Sequence, residues 1–223
     1  IILAIICVPT ILLGQIKSVS IPDRITNNKN WDYTQFEKQK SADFEIKLLS
    51  SDTSFDEFYR LSDSRQIIEV WRINTNYGGQ VINFTRTYVD YEEREKKKSE
   101  LIYNKVGLSA DTAKIIFDKF KSLDSIPDMD KIKGWGIGID GVTYSIESST
   151  KKSYVLKSYW TPTAQKDSTH YKNEIISFVD YIYKDLNLYH HYEIFTSNLP
   201  NGSYTDGFVN MTIVGRKKTK KKK

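Results

Sequence analysis

Residues 141–162, GVTYSIESSTKKSYVLKSYWTP, and residues 167–188, DSTHYKNEIISFVDYIYKDLNL, decide the fold. In the first segment Val142, Tyr144 and Ile146 alternate with Thr143, Ser145 and Glu147, giving one apolar and one polar strand face. After the polar link 149–152 the pattern resumes, with Tyr154, Leu156, Ser158 and Trp160 on one face. Val155, Lys157 and Tyr159 fall on the other. Two such runs around four polar residues predict an antiparallel hairpin, ended by Pro162, which cannot donate to a ladder. In the second segment Tyr171, Ile175, Phe178, Ile182 and Leu186 recur at steps of three or four, and Ile176, Val179 and Tyr183 widen the stripe. Asp167 or Ser168 is the expected N-cap. Burying this stripe is worth about 1.5–3 kcal/mol per large side chain, so the helix is expected to lie across the sheet.

Working outward, QIIEVWRINTNYGGQVINFTRTYVDYE (66–92) holds two β-rich runs, 66–74 and 80–91, around Asn76-Tyr77-Gly78-Gly79. That spacing predicts a second hairpin, turning at the glycines. Upstream of it, SFDEFYRL (54–61) reads as a short helix, while Phe44, Ile46 and Leu48 alternate like a strand. Residues 18–30 read as an extended polar lead-in. Leu101-Ile102-Tyr103 predicts a third strand. Ser109 caps a second helix with Asp111 in its first turn, a stripe of Ile116, Phe120 and Leu123, and Pro127 beyond its end. After the long helix come Tyr189-His190-His191-Tyr192, a turn at 198–202 and a closing strand over 208–214. The order points to an α+β fold: an antiparallel sheet built from hairpins with two main helices packed on one side.

The 223 residues are 39% hydrophobic and 27% charged, which is globular composition and not that of a disordered chain. The net charge of +5 comes from the end: Arg216, Lys217, Lys218 and Lys220 to Lys223. Without these and Lys17, 25 basic residues face 28 acidic ones, about −3, so the body is not a basic binding face. Residues 1–13 are almost wholly apolar, the length of a signal-peptide core and short of a spanning helix. Gly14 and Ser18-Val19-Ser20 offer small residues for processing between 14 and 20. The expected organisation is a signal peptide over 1–20 with a truncated start, a single α+β domain over 21–215, and a disordered basic tail over 216–223. Cys7 follows bulky Ile6 inside the apolar run, which argues against a lipoprotein. Removing the leader leaves no cysteine, and so no disulfide, thiol nucleophile or cysteine metal site.

No motif carries catalytic chemistry. Gly134, Gly136 and Gly138 precede a strand, whereas a phosphate loop must open a helix. Gly78-Gly79-Gln80 matches a tripeptide used in translation termination, a coincidence in an exported protein. His190-His191 diverge as neighbours, and zinc needs three or four converging ligands; no metal and no cofactor is expected. Asp140 and Glu147 stand seven strand residues apart, over ~20 Å, too far to pair in hydrolysis. Trp135, Tyr159 and Trp160, with Tyr154, form the candidate ligand-binding surface, stacking on sugar rings or a peptide; the same aromatics also make good core. The lysine-rich tail could bind an anionic polymer by counterion release.

Ile139-Asp140-Gly141, Tyr144-x-Ile146-Glu147 and Ser158-Tyr159-Trp160-Thr161-Pro162 together resemble small, exported, uncharacterised bacterial proteins. In these a DG-x-x-(W/Y)-x-(I/L)-E strand pairs with one ending in an aromatic-x-P, and a helix follows. The match covers about fifty residues, and it implies an α+β fold and export to the periplasm or beyond, with no activity to carry over. The expected function is a secreted or envelope binding domain without enzymatic activity, its partner a glycan or an envelope protein. The alternative is a hydrolase using carboxylates assembled across the sheet. No later stretch approaches membrane-spanning length.

Overall fold

The computed structural model describes residues 17–26, 32–90, 92, 98–207 and 209–214. The apolar run 1–13 with Cys7, most of the charge run 92–100 and the tail 216–223 lie outside the described residues. The expected hairpin is present: β6 (Thr143–Thr150) and β7 (Ser153–Trp160) pair antiparallel from Thr143↔Trp160 to Ser149↔Tyr154. Its turn is shorter than expected, Lys151-Lys152 alone, because the Thr150 hydroxyl accepts from the Lys152 and Ser153 amides. The helix that follows, α4 (Lys172–Asp185), buries Ile175, Phe178, Val179 and Ile182. Its N-cap is Tyr171, at φ 61°, and not Asp167 or Ser168. Asp167 instead takes the Lys172 ammonium at 2.7 Å.

The other strands are β1 (Ser18–Ser20), β2 (Glu57–Ser62), β3 (Gln66–Ile73), β4 (Asn76–Thr87), β5 (Leu101–Gly107), β8 (Gly202–Thr205) and β9 (Asn210–Ile213). They join the hairpin in one sheet ordered β1-β7-β6-β2-β3-β4-β8-β9. The long β4 pairs with β5 on one edge and with β3, then β8, on the other; Arg86 faces both Leu101 and Thr205. The expectation of an antiparallel sheet needs one correction. β1 runs parallel to β7, with Val19 opposite Tyr154, so the sheet is mixed. Lys17, just ahead, is buried, its ammonium held by the Leu49 and Asp52 carbonyls and the Ser149 hydroxyl.

The two main helices share one face, as expected, and a further helix covers the other. On one face α3 (Ala110–Lys121, capped by Ser109) and α4 bury Ile116, Phe117, Phe120, Phe178 and Ile182 against Tyr59, Leu61, Ile68, Val70, Val81, Ile146 and Tyr159. On the other, α2 (Tyr33–Phe44) brings Tyr33 to Phe58, Tyr154 and Leu156, and Phe44 to Ile67 and Ile82. Residues 46–48, expected as strand, form an irregular stretch after Glu45, which ends α2 at φ 50°. A short helix α1 (Asp23–Thr26) precedes α2, and α5 (Leu188–Ser197) follows α4.

Two further expectations are overturned. Residues 57–61 form no helix but most of β2, the strand flanked by β3 and β6 along its length. Phe58 and Arg60 point to the α2 face, Tyr59 and Leu61 to the α3–α4 face, and all four are buried. A strand buried on both sides loses the alternation that marks strands in sequence. Gly78-Gly79 is not the turn. Asn74-Thr75 turns the chain, Asn74 at φ 53°, and Gly78 and Gly79 pair with Trp71 and Val70 inside the ladder. A Cβ on Gly78 would stand 2.7 Å from the Trp71 indole, so the glycine makes room for that ring.

Candidate functional site

Two clefts of nearly equal size meet at Asp63, in the turn between β2 and β3. The first, about 500 Å³, opens between α2 and the sheet. Phe36, Phe44, Ile67 and Phe84 are among its apolar walls, and Lys40, Ser62 and Glu147 are among its polar lining. These polar groups continue into a charged network that the strand register assembles. Arg60 on β2 lies directly opposite Glu69 on β3 and Glu147 on β6. Its Nε donates to Glu69 Oε1 at 2.7 Å, Nη1 to Glu147 Oε2 at 3.0 Å, and Nη2 to the Lys47 carbonyl at 2.8 Å. Lys40 reaches down from α2, 2.8 Å from both Glu147 Oε1 and the Ser62 hydroxyl. Tyr154 donates to Glu147 Oε2 at 3.2 Å and its hydroxyl bonds that of Tyr33, while Gln80 donates to Glu69 at 2.6 Å.

Two cations and two carboxylates thus neutralise one another in the interior. Burial alone would raise the Glu147 pKa, but Arg60 and Lys40 outweigh it and bring it down to about 2. Burial lowers the Lys40 ammonium despite Glu147 beside it. Burial pushes the Tyr33 and Tyr154 hydroxyls up, with Glu147 adding to both. Such a carboxylate stays ionised at neutral pH, the opposite of a general acid, whose pKa must be raised. The Lys40 ammonium, which bonds the Ser62 hydroxyl, is also committed to Glu147, and each member of the network has an internal partner. Chemically it is a scaffold that closes the α2 face.

The second cleft, about 490 Å³, is built differently. The Asp63 turn forms one wall, the residues entering β6 another, and the end of α4 with α5 a third. Tyr144 comes from β6, Tyr183 from α4, and Tyr189 and Tyr192 from α5. The Tyr144 and Tyr183 rings meet at 87° with centroids 6.4 Å apart; Tyr183 and Tyr189 meet at 53° and 5.3 Å. Tyr183 donates its hydroxyl to Asp63 Oδ2, and Asp63 Oδ1 accepts the Arg65 and Gln66 amides at 2.7 Å each. Arg65 donates to Asp206 at 2.6 Å and lies 5.6 Å over the Tyr192 ring. Burial, then Asp63, raises the Tyr183 hydroxyl; burial with Asp63, Tyr189 and Asp180 pushes Tyr144 up to about 12. A smaller depression, about 220 Å³, shares Gly141, Val142 and Tyr144 with this cleft and extends it towards Pro162, Ile176 and Asp180.

The residues singled out in sequence are brought together, but as packing. Tyr159 is fully buried and donates to the Pro127 carbonyl at 3.0 Å, so it offers no surface to a ligand. Trp135, half-buried, packs on Tyr159 at 5.7 Å and donates from Nε1 to the Trp160 carbonyl at 3.1 Å. Trp160 is half-buried under the glycine loop; a Cβ on Gly138 would stand 2.6 Å from its ring. In that loop the Gly136 amide donates to Gln165 Oε1 at 2.7 Å, so it does not face a phosphate. Tyr154 belongs to the charged network. Asp140 and Glu147 part company: Asp140 is exposed on the tyrosine cleft, Glu147 buried behind the sheet. His190 lies 3.8 Å from Glu193 on α5, and no cluster of three metal-ligating side chains occurs among the described residues.

The tyrosine cleft itself escaped the sequence reading. Tyr144 and Tyr183 fall in apolar stripes, as core residues do, and no spacing links position 144 to 183, 189 and 192. The only available signal was the count of fifteen tyrosines. Among the described residues no helix is long and apolar enough to cross a membrane. A scan against family models, a search of curated proteins and a search of solved structures each found no match to this chain.

Proposed function

We propose that this protein is an exported, non-enzymatic binding domain that takes its ligand in the tyrosine cleft. The observation that carries the reading is the convergence of four tyrosines from β6, α4 and α5 on one concave surface beside a fixed carboxylate. Aromatic lining with a few placed polar groups is the ordinary character of a small-ligand site. A hydrolase could not use Glu147 as its general acid, since a carboxylate held down at about 2 by Arg60 and Lys40 cannot donate a proton at neutral pH. Export is supported by the apolar run 1–13 and by the resemblance to small exported bacterial proteins. Processing is placed between residues 14 and 20, where Gly14 and Ser18-Val19-Ser20 offer small residues. An anionic envelope polymer held by the tail 216–223 is a separate contact, read out as salt-sensitive retention lost on deleting those residues.

The test is a saturation-transfer NMR screen of oligosaccharides, short peptides and organic cations against the wild-type chain, Tyr189→Ala and Phe36→Ala. Hits are expected to fade with Tyr189→Ala, at an exposed ring of the tyrosine cleft, and to persist with Phe36→Ala, in the cleft under α2. Hits that answer only to Phe36→Ala would overturn the assignment.

A further inference from the structure

We infer that the tyrosine cleft is an aromatic cage for a quaternary or methylated ammonium group. The inference rests on the reading of that cleft as the ligand site and names the ligand's chemistry. Three observations carry it, and the first is the shape of the aromatic surface. A sugar ring or a flat heterocycle stacks on a flat platform. Here Tyr183 meets Tyr144 at 87° and Tyr189 at 53°, so the rings make a corner and not a floor. Steeply inclined faces suit a rounded group that touches several rings at once. The negative face of an aromatic ring attracts a cation within about 6 Å of its centroid, and tyrosine is among the better rings for this.

The second observation is the charge balance. Asp63 and Asp140 line the cleft and Asp180 lines the adjoining depression. None of the three has a basic side chain within ion-pair distance among the described residues. The one basic lining residue, Arg65, is already engaged by Asp206. Asp140 and Asp180 therefore stand at the cleft without an ion pair among the described residues, while Asp63 lies in the field of Arg65. Burial first, and then Asp63, Tyr189 and Asp180, push the Tyr144 hydroxyl upward. The third observation is what the polar groups can still offer. Asp63 already accepts from two amides and from the Tyr183 hydroxyl, and Gln66 donates to Asn83 and to the Leu188 carbonyl. A primary ammonium is strongly hydrated and needs close acceptors, and the Asp63 carboxylate beside the rings is already occupied. A methylated ammonium gives up its water cheaply and needs only ring faces and nearby negative charge. Next door the fold makes the same contact for itself, with Arg65 over Tyr192.

The experiment is a ¹H–¹⁵N NMR titration of the full chain with four probes: choline, trimethyl-lysine, 3,3-dimethylbutanol (the neutral isostere of choline) and maltotetraose. Choline or trimethyl-lysine should shift Tyr144, Tyr183 and Tyr189 saturably, and whichever binds tighter identifies a free headgroup or a modified side chain as the source. The neutral isostere should bind at least about tenfold more weakly. Tyr189→Ala, at an exposed ring whose loss spares the core, should weaken choline about fivefold or more. Asp140→Asn, also exposed, should weaken it less and only at low salt. Equal binding of choline and its isostere, or saturable binding of maltotetraose alone, would overturn the cage while leaving the cleft as the ligand site. Shifts that none of the probes produces at these tyrosines would overturn both.

Discussion

The two clefts that meet at Asp63 are alike in volume and opposite in how their charge is used. Under α2, Arg60 and Lys40 meet Glu69 and Glu147 within the protein, and the nearby hydroxyls and amides complete their hydrogen bonds. In the tyrosine cleft Asp63 and Asp140 have no ion pair among the described residues, and Arg65, the one basic lining residue, is paired with Asp206. Buried charge matched within the chain fixes the fold and leaves little over for a ligand. Charge left unmatched beside aromatic faces is available to one. The contrast teaches that the more conspicuous constellation, four ionised groups in the interior, is the structural one.

The sharpest way to break this comparison is Arg60→Met. It leaves Glu69 in the interior without a basic partner among the described residues and Glu147 with Lys40 alone, and should cost about 3–5 kcal/mol, read by chemical denaturation. A loss under about 1 kcal/mol would mean the network is no scaffold. Acid supplies the next largest effect. The folded pKa of Glu147, about 2, lies below its ordinary 4.5, so its contribution is complete above pH 4.5 and disappears as pH falls towards 2. That contribution is on the order of 3 kcal/mol. Stability measured across this window should fall in the wild type and much less in Glu147→Gln. On the tyrosine side, Tyr183→Phe removes a hydrogen bond to the Asp63 carboxylate and should cost about 1.5–3 kcal/mol. Tyr192→Phe should change stability by less than about 0.5 kcal/mol, because the Tyr192 hydroxyl is buried without a well-formed hydrogen bond. If Tyr192 proved as costly as Tyr183, the ranking of hydroxyls within the cleft would be wrong.

What sequence could deliver follows from where periodicity survives. The 143–160 hairpin, α3 and α4 each press one face on the core, so Ile146, Phe120 and Ile175 stand out at regular spacing. The strand β2 does not, because Phe58, Tyr59, Arg60 and Leu61 are all buried, Arg60 as deeply as its neighbours. A charged residue in a fully buried strand mimics the mixed pattern of a short helix. The Gly78-Gly79 pair misled for a related reason. Glycine is read as a turn, yet here it clears space for Trp71 across the ladder. β1 is three residues long and its parallel pairing is set by packing beside β7, with no local signal. The candidate site was least legible, since Asp63, Tyr144, Tyr183 and Tyr189 meet only once the β2–β3 turn, β6, α4 and α5 are folded together.

The division between a closed structural network and an open binding cleft is tested most directly by carboxyl ¹³C NMR of Glu147 through a pH titration. The account predicts a carboxylate that stays ionised down to about pH 2, held by Arg60 and Lys40. A midpoint at or above 4.5 would contradict it, for Glu147 would then be a protonatable acid in a cleft, as a hydrolase requires.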